Sequence, residues 1–388
     1  IESVLVSGLW NHYGGWLALG TALLGVVLAV AAIGRLNRSL LSNWMPRPRE
    51  AAFVLHKRLS LAKGPRIVAI GGGTGLSNLL RGLRQHSSNL TAVVTVSDDG
   101  GSSGRLRTAF DMPAPGDLSD CLAALSDNEI EASRLLEYRF SRGNELQGHT
   151  FGNLLITTLT EVEGDFAKAI RVLNSFLNLT GSVYPVSPEP VSLSVLKVSG
   201  VEVQGESRVR EVPGAIQRVA IEPAAPQVTP EVVQRLAQAD LVVLGPGSLF
   251  TSTLPPLLVP AVRHTLGSTA ARLVYICNIM TEAGETDGFS AFAHVRAIHD
   301  VLGRYPDLVL YNSTPVDAER LGRYRREGAE AVVFDAEAFA GSGIEVVRLP
   351  LLGEGPHAQH DAQALARWLA AHGREAPGFH PRRRSVPA

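Results

Sequence analysis

Arg66–Gly75 reads RIVAIGGGTG. Ile67 to Ile70 are apolar without alternation, the pattern of a short strand buried on both faces of a sheet. Gly71–Gly75 (GGGTG) follows at once, and helically spaced leucines run on through Arg84. A strand that ends in glycines and opens a helix gathers free backbone N–H groups and the positive end of the helix dipole at one point, which suits phosphate. In this stretch the candidate residues are Gly71, Gly72, Gly73, Thr74 and Gly75, whose backbone can approach a ligand closely. No lysine follows the last glycine, so this is not the loop of a nucleotide hydrolase, and Leu76 breaks the G-x-G-x-x-G spacing. Taken alone, a tight strand–helix turn without a ligand would explain the same residues.

The arrangement recurs outward along the chain. Leu90–Val96 (LTAVVTV) is a second strand running into Ser97–Arg107 (SDDGGSSGRLR). Asp98 and Asp99, adjacent at a strand end, suit the hydroxyls of a ribose or sugar, or Mg²⁺. Gly100, Ser102 and Ser103 add N–H and hydroxyl donors, while Arg105 and Arg107 add positive charge for a phosphate. Pro115-Gly116-Asp117 turns into a helix, with Asp117 readable as its N-cap or as a third carboxylate, beside Asp98 and Asp99, for a metal. Gly148–Glu161 opens another helix and sets His149 and Asn153 four apart on one face. His149 would contact a phosphate or donate a proton; a capping or core role suits it about as well.

Leu241–Leu244 is a strand leading into Gly245–Thr253 (GPGSLFTST), where Gly245, Gly247, Ser248 and Thr251 are the candidates. Two glycine loops suit a ligand with two anchor points, such as a diphosphate or a nucleotide carrying another moiety. Arg272–Cys277 runs into NIMTEAGETDG, where Asn278 would read a base or sugar and Glu282, Glu285 and Asp287 make an acidic loop. Leu308–Tyr311 and Glu345–Arg348 are late strands, and His360–His372 is a closing helix. Residues 183–223, rich in Val, Ser and Pro with polar and apolar positions alternating, read as inserted antiparallel hairpins. Strands alternating with helices predict an α/β, Rossmann-like, mainly parallel sheet covered on both faces, with ligand beyond the carboxyl ends of the strands.

Composition bounds the rest. The 388 residues carry 36 basic and 37 acidic side chains, a net charge of -1, so nothing marks a dedicated nucleic-acid binder. A 45% hydrophobic content excludes a disordered chain. Cys121 and Cys277 offer neither a disulfide framework nor zinc spacing. Trp16–Gly34 (WLALGTALLGVVLAVAAIG) holds no charge over 19 residues, and Trp10, Trp16 and Trp44 flank it as interfacial anchors do. Arg35, Arg38, Arg47 and Arg49 follow it, whereas Glu2 alone precedes it, which predicts one transmembrane helix with the N-terminus outside. The alternative is a buried core helix. The expected organisation is therefore a membrane segment over 1–45, a basic juxtamembrane linker over 46–65, an α/β domain over 66–372 and a flexible tail over 373–388.

GGGTGL, SDDGGSSGRLR, PGDLSDCLAALSD, GHTFGNLL, GPGSLFTS and YICNIMTEAGETDG, in that order over residues 64–372, together resemble the YvcK family of gluconeogenesis factors, related to the CofD 2-phospho-L-lactate transferases. The resemblance does not cover the membrane segment, which many cytoplasmic members lack; the charge bias around that segment is what predicts a cytoplasmic body anchored at the inner membrane. The ligand that the resemblance implies is a UDP-sugar such as UDP-N-acetylglucosamine, serving cell shape and envelope precursor supply during gluconeogenic growth. Gly71–Gly75 would wrap phosphate, Asp98 and Asp99 would sit beside sugar or metal, and Gly245–Ser248 with Asn278 would complete the nucleotide pocket. A protein partner in envelope synthesis would fit this role, and a homodimer would be unsurprising. The transferase branch instead implies Mg²⁺-dependent transfer of a phospho-lactyl unit from a nucleoside-diphosphate-linked donor.

Overall fold

The computed structural model describes residue 16, residues 19–32, residue 35 and residues 51–373, in two compact units, residues 1–60 and 61–388. In the first unit, residues 19–32 are helical and exposed. Among the described residues no helix is long and apolar enough to cross a membrane. Residues 17, 18, 33 and 34 of the expected span, and Trp10 and Trp44, lie outside the described residues. The expected linker contains a helix, Ala51–Ala62, because AAFVLHKRLSLA is built of helix formers without Pro or Gly. Residues 46–50 and the tail beyond Gly373 lie outside the described residues.

The second unit is built on a sheet of seven parallel strands. In chain order the strands are β1 (Ile67–Gly71), β2 (Leu90–Val94), β3 (Ser182–Pro185), β4 (Ser192–Lys197), β5 (Glu202–Gln204), β6 (Ile216–Glu222), β7 (Leu241–Leu244), β8 (Arg272–Ile276), β9 (Leu308–Asn312) and β10 (Glu345–Leu349). The main sheet runs β10-β9-β8-β7-β1-β2-β3, and every pairing in it is parallel. β1, β2 and β7 are buried at every residue, as their unbroken apolar runs require of central strands covered on both faces. The helices alternate with the strands, and Leu76, Leu79, Leu80 and Leu83 of helix Gly73–Leu83 are buried in the core.

The second sheet, β5-β4-β6, is antiparallel and lies within the stretch read as inserted hairpins. One boundary changes. Residues 182–185 are not part of the insertion but form the parallel edge strand β3 beside β2. An edge strand has one covered flank and buries alternate residues, so in sequence β3 resembles the hairpins that follow it.

Candidate ligand-binding site

Chain connections diverge between β1 and β7. From β1 the sheet extends to β2 and β3 on one side, and from β7 to β8, β9 and β10 on the other. At such a switch point the carboxyl ends of neighbouring strands open a crevice. The two loops that enter it are Gly71–Gly75 after β1 and Gly245–Ser248 after β7. They touch: a Cβ at Gly75 would overlap the Pro246 carbonyl oxygen, and one at Gly247 would stand 3.4 Å from the Gly72 carbonyl oxygen. Gly73 (φ +63°) and Gly245 (φ +79°) adopt the left-handed conformation that makes these turns.

Three helices begin around this crevice without a side-chain cap: Gly73–Leu83, Gly101–Phe110 and Gly116–Leu125, after Gly72, Gly100 and Pro115. Helices Glu129–Leu136, Pro230–Gln238 and Pro260–Ser268 also start without one, whereas Thr150, Asp165, Ser290, Asp317 and Asp361 cap helices with their side chains. First-turn N–H groups left without a cap need a partner from solvent or ligand. Asp117 is therefore not an N-cap. It lies in the first turn of its helix, and its carboxylate accepts the Gly73 N–H. Gly116 packs on Ser103: a Cβ there would overlap the serine oxygen and would stand 3.6 Å from Asp98 Oδ2. Thus Asp98, Asp117, Ser103 and the first glycine loop meet at one place.

His149 and Asn153 support this wall rather than face a ligand freely. Ser102 Oγ lies 2.9 Å from His149 Nδ1, and Asn153 Nδ2 donates to Ser102 Oγ at 3.0 Å and to Ser103 Oγ at 3.5 Å. Thr150 Oγ1 accepts the Asn153 N–H at 3.3 Å. Burial lowers the His149 pKa, and Arg105 and Arg139 lower it further, which favours the neutral ring. Arg105 donates to the Gln147 carbonyl at 3.1 Å. Asp98 Oδ1 accepts the Gly100 N–H at 2.9 Å. Asp99 turns elsewhere: its Oδ1 accepts the Ser207 N–H at 2.8 Å. The expected metal set of Asp98, Asp99 and Asp117 is accordingly not assembled, and among the described residues no group of three or more His, Cys, Asp or Glu side chains could hold a metal ion.

The insertion supplies residues that motif reading missed. The short turn Glu206–Glu211 brings Glu206 beside Ser97, whose Oγ lies 3.4 Å from Glu206 Oε2, and into hydrogen-bond contact with Thr251. Arg210 donates to Glu285 Oε1 at 2.9 Å and to Glu282 Oε2 at 2.6 Å. Glu285, 1% exposed, also accepts from Ser248 Oγ of the second glycine loop. Lys197 is fully buried, and its Nζ donates to the carbonyls of Val209 (2.9 Å), Gly214 (3.2 Å) and Gly284. A lysine on the inward phase of an otherwise alternating strand was the one available sequence signal for this latch.

Beyond Ser248 the crevice widens into a pocket of about 320 Å³ lined by Asn78, Asn278, Met280, Glu282, Tyr324 and His360, with Gly75 and Gly247 at its floor. Asn278 Nδ2 lies 3.4 Å from Glu282 Oε1, leaving its carboxamide largely uncommitted. Burial lowers the His360 pKa to about 4, and its Nε2 is 3.2 Å from the Cys277 carbonyl. On the other flank burial raises the carboxyls. Asp117 is pushed up to about 7 by desolvation and then by Asp98, and Asp98 itself is raised by desolvation. Glu206 is pushed up to about 9 by desolvation and by Asp98, Asp117 and Glu285. These carboxyls accordingly favour either a proton or a nearby cation. Arg210, which desolvation would lower, is raised by its hydrogen bond and charge pairing with Glu285.

Residues 67–352 match the family model described as 2-phospho-L-lactate transferase CofD. A Deinococcus radiodurans protein is 45% identical over 359 residues, 91% of this chain and 76% of its own length. That extent carries the similarity outside residues 64–372, further than the motifs alone reach. The gluconeogenesis factor of Bacillus subtilis is 43% identical over 289 residues, 74% of this chain and 91% of its own. A crystal structure of a Bacillus halodurans protein superposes with a TM-score of 0.77 at 40% identity, covering 79% of this chain and 99% of that one. With the glycine loops and the switch-point crevice in the same fold, this chain belongs to the CofD family, among the YvcK-type gluconeogenesis factors.

Proposed function

We propose that the chain is a nucleotide-sugar binding factor that takes a UDP-sugar such as UDP-N-acetylglucosamine and serves cell shape and envelope precursor supply during gluconeogenic growth. One observation carries this reading. Two glycine loops meet at the β1–β7 switch point beside uncapped helix starts and open into a pocket of about 320 Å³, a size that accepts a nucleoside. The diphosphate would lie along Gly72–Gly75 and Gly247–Ser248, with the nucleoside against Asn278, Met280 and Tyr324. The sugar would extend toward Asp98 and Ser102. His149 is paired with Ser102, His360 with the Cys277 carbonyl, and both cysteines are buried, so Asp117, pushed up to about 7, is the crevice group best suited to proton transfer. In titrations of the purified chain, UDP-N-acetylglucosamine should add about 2.7 kcal/mol of stability at a hundredfold excess over Kd, with the ligand recovered unchanged. No stabilisation by any UDP-sugar would overturn the proposal.

A Mg²⁺-dependent transferase is the second reading, favoured by the adjoining carboxyls of Asp98 and Asp117, whose ionisation burial opposes. Mg²⁺ bound with nucleotides commonly takes one or two carboxylates and leaves the remaining positions to phosphates and water. Those two carboxylates fit that mode, and the ion would supply charge neutralisation for the diphosphate. This reading requires product formed in proportion to the chain and lost in Asp98→Asn. The remaining proposals concern the setting: an inner-membrane anchor within residues 1–45 with the N-terminus outside, a body in the cytoplasm, an envelope-synthesis partner and a homodimer. Fractionation of the full chain against a chain starting at residue 51 tests the anchor, because only the former should pellet with membranes.

A further inference from the structure

On the far side of the second glycine loop lies a larger cavity, of about 700 Å³, between the insertion sheet and the helices Leu254–Leu258, Pro260–Ser268 and Ala291–Leu302. Its wall is apolar, formed by Ile216, Val219, Phe250, Leu254, Phe289 and Ala297. Phe250 and Phe289 pack edge to face with centroids 5.8 Å apart. Around the mouth stand three exposed arginines, Arg218 on β6, Arg263 and Arg296. Among the described residues none of the three has a carboxylate within ion-pair distance. The one acid in the lining, Asp300, lies 3.6 Å from His299.

Volume, wall and rim each restrict the occupant. The volume is that of a site for a single small molecule. The apolar wall favours a hydrocarbon, worth about 0.8 kcal/mol for each CH₂ withdrawn from water. Three guanidinium groups without acidic partners favour an oxyanion head, which such groups bind by charge-assisted, often bidentate hydrogen bonds. We propose that this cavity is a second ligand site that takes one anionic amphiphile, its chain against Phe250, Leu254 and Phe289 and its carboxylate or phosphate head on Arg218, Arg263 and Arg296.

The two sites are lined by neighbouring residues of the same segments. Ser248, whose hydroxyl donates to Glu285 in the crevice, lies two residues before Phe250, and Glu285 four before Phe289. Lys197, which donates to Gly284, is flanked by Leu196 and Val198 of the cavity lining. An occupant of the cavity therefore touches the same segments that shape the crevice.

The test uses the full purified chain and four probes below their aggregation thresholds: dodecanoate, dodecyl phosphate, uncharged dodecanol and inorganic phosphate. Binding is read by calorimetry, and vesicles of phosphatidylglycerol form a separate arm. The proposal expects saturable binding, one per chain, of dodecanoate, dodecyl phosphate or both, with dodecanol and inorganic phosphate weaker by about tenfold or more. Arg263→Ser with Arg296→Ser, both at exposed positions, should weaken the anionic probes by about tenfold per arginine. Ala297→Trp, which fills the cavity, should abolish binding; if that variant fails to fold, the arginine pair decides. Equal binding of dodecanol, binding indifferent to these substitutions, or attachment to vesicles without binding of the monomers would each overturn the proposal. So would self-association through this face, seen as a sedimentation shift in Ala297→Trp with no amphiphile bound.

Discussion

Glu206 bears the charge of three other carboxyls, Asp98, Asp117 and Glu285, at a site where desolvation already opposes ionisation. In the folded chain it keeps its proton to about pH 9, against its usual 4.5. Once ionised when unfolded, the chain binds fewer protons unfolded than folded, so stability falls as pH rises through this range. Asp117 and Asp120, raised to about 7 and about 6, act in the same direction but finish earlier. His294 and His360, lowered to about 4, act oppositely and are complete above their usual 6.5. Between pH 7 and 9, Glu206 should thus contribute a loss of up to about 1.4 kcal/mol per pH unit. Thermal melts at pH 7, 8 and 9 should show that decline in the parent and a flatter profile in Glu206→Gln. An equal slope in both would remove Glu206 as its source. Gly75→Ala is the sharper probe of the glycine loops, because the added methyl meets the Pro246 carbonyl and parts the two loops, whereas Gly73 at φ +63° would be strained by any side chain. It should cost about 1–3 kcal/mol and weaken the UDP-sugar about tenfold or more, measured by melts and titration.

Among the structural elements, the insertion is what the crevice depends on and what the motifs did not announce. Asp99 holds the start of the turn Glu206–Glu211, Arg210 ties that turn to Glu282 and Glu285, and Lys197 secures its far end and the loop at Gly284. Burial lowers the Lys197 pKa, while Glu285 and Asp287 work to keep it charged. Lys197→Met keeps the bulk but orphans three carbonyl groups, at about 1–3 kcal/mol for a buried unpaired group. Hydrogen exchange should quicken at residues 206–211 and 282–285 in that variant while β1 and β7 stay protected. Uniform quickening would mean that the latch is part of the global fold. Glycine-started helices and buried strands were legible because each is set by residues adjacent in sequence. β3 was not, because an edge strand and an inserted hairpin share one alternating pattern.

At the level of the whole molecule, residues 61–388 form a compact unit that contains both glycine loops, the insertion and the pocket. A chain starting at residue 51, which keeps helix Ala51–Ala62 intact, should bind the UDP-sugar with the affinity of the full chain. An affinity lower by about tenfold would bring residues 1–50 into the site. The sequence by itself determined the mainly parallel α/β architecture, the strand–glycine–helix turns and the family, since each rests on local periodicity or a contiguous motif. Only the tertiary structure decided that β1 and β7 are neighbours, which joins the loops at a switch point. It also decided that Asp99 serves the insertion, that Glu206 and Arg210 reach the crevice, and that Lys197 latches the insertion to the loop at Gly284. Those outcomes depend on pairings between segments far apart in the chain and on burial, which sets both the partners and the charge of a side chain. Neither is encoded in the spacing of the residues themselves.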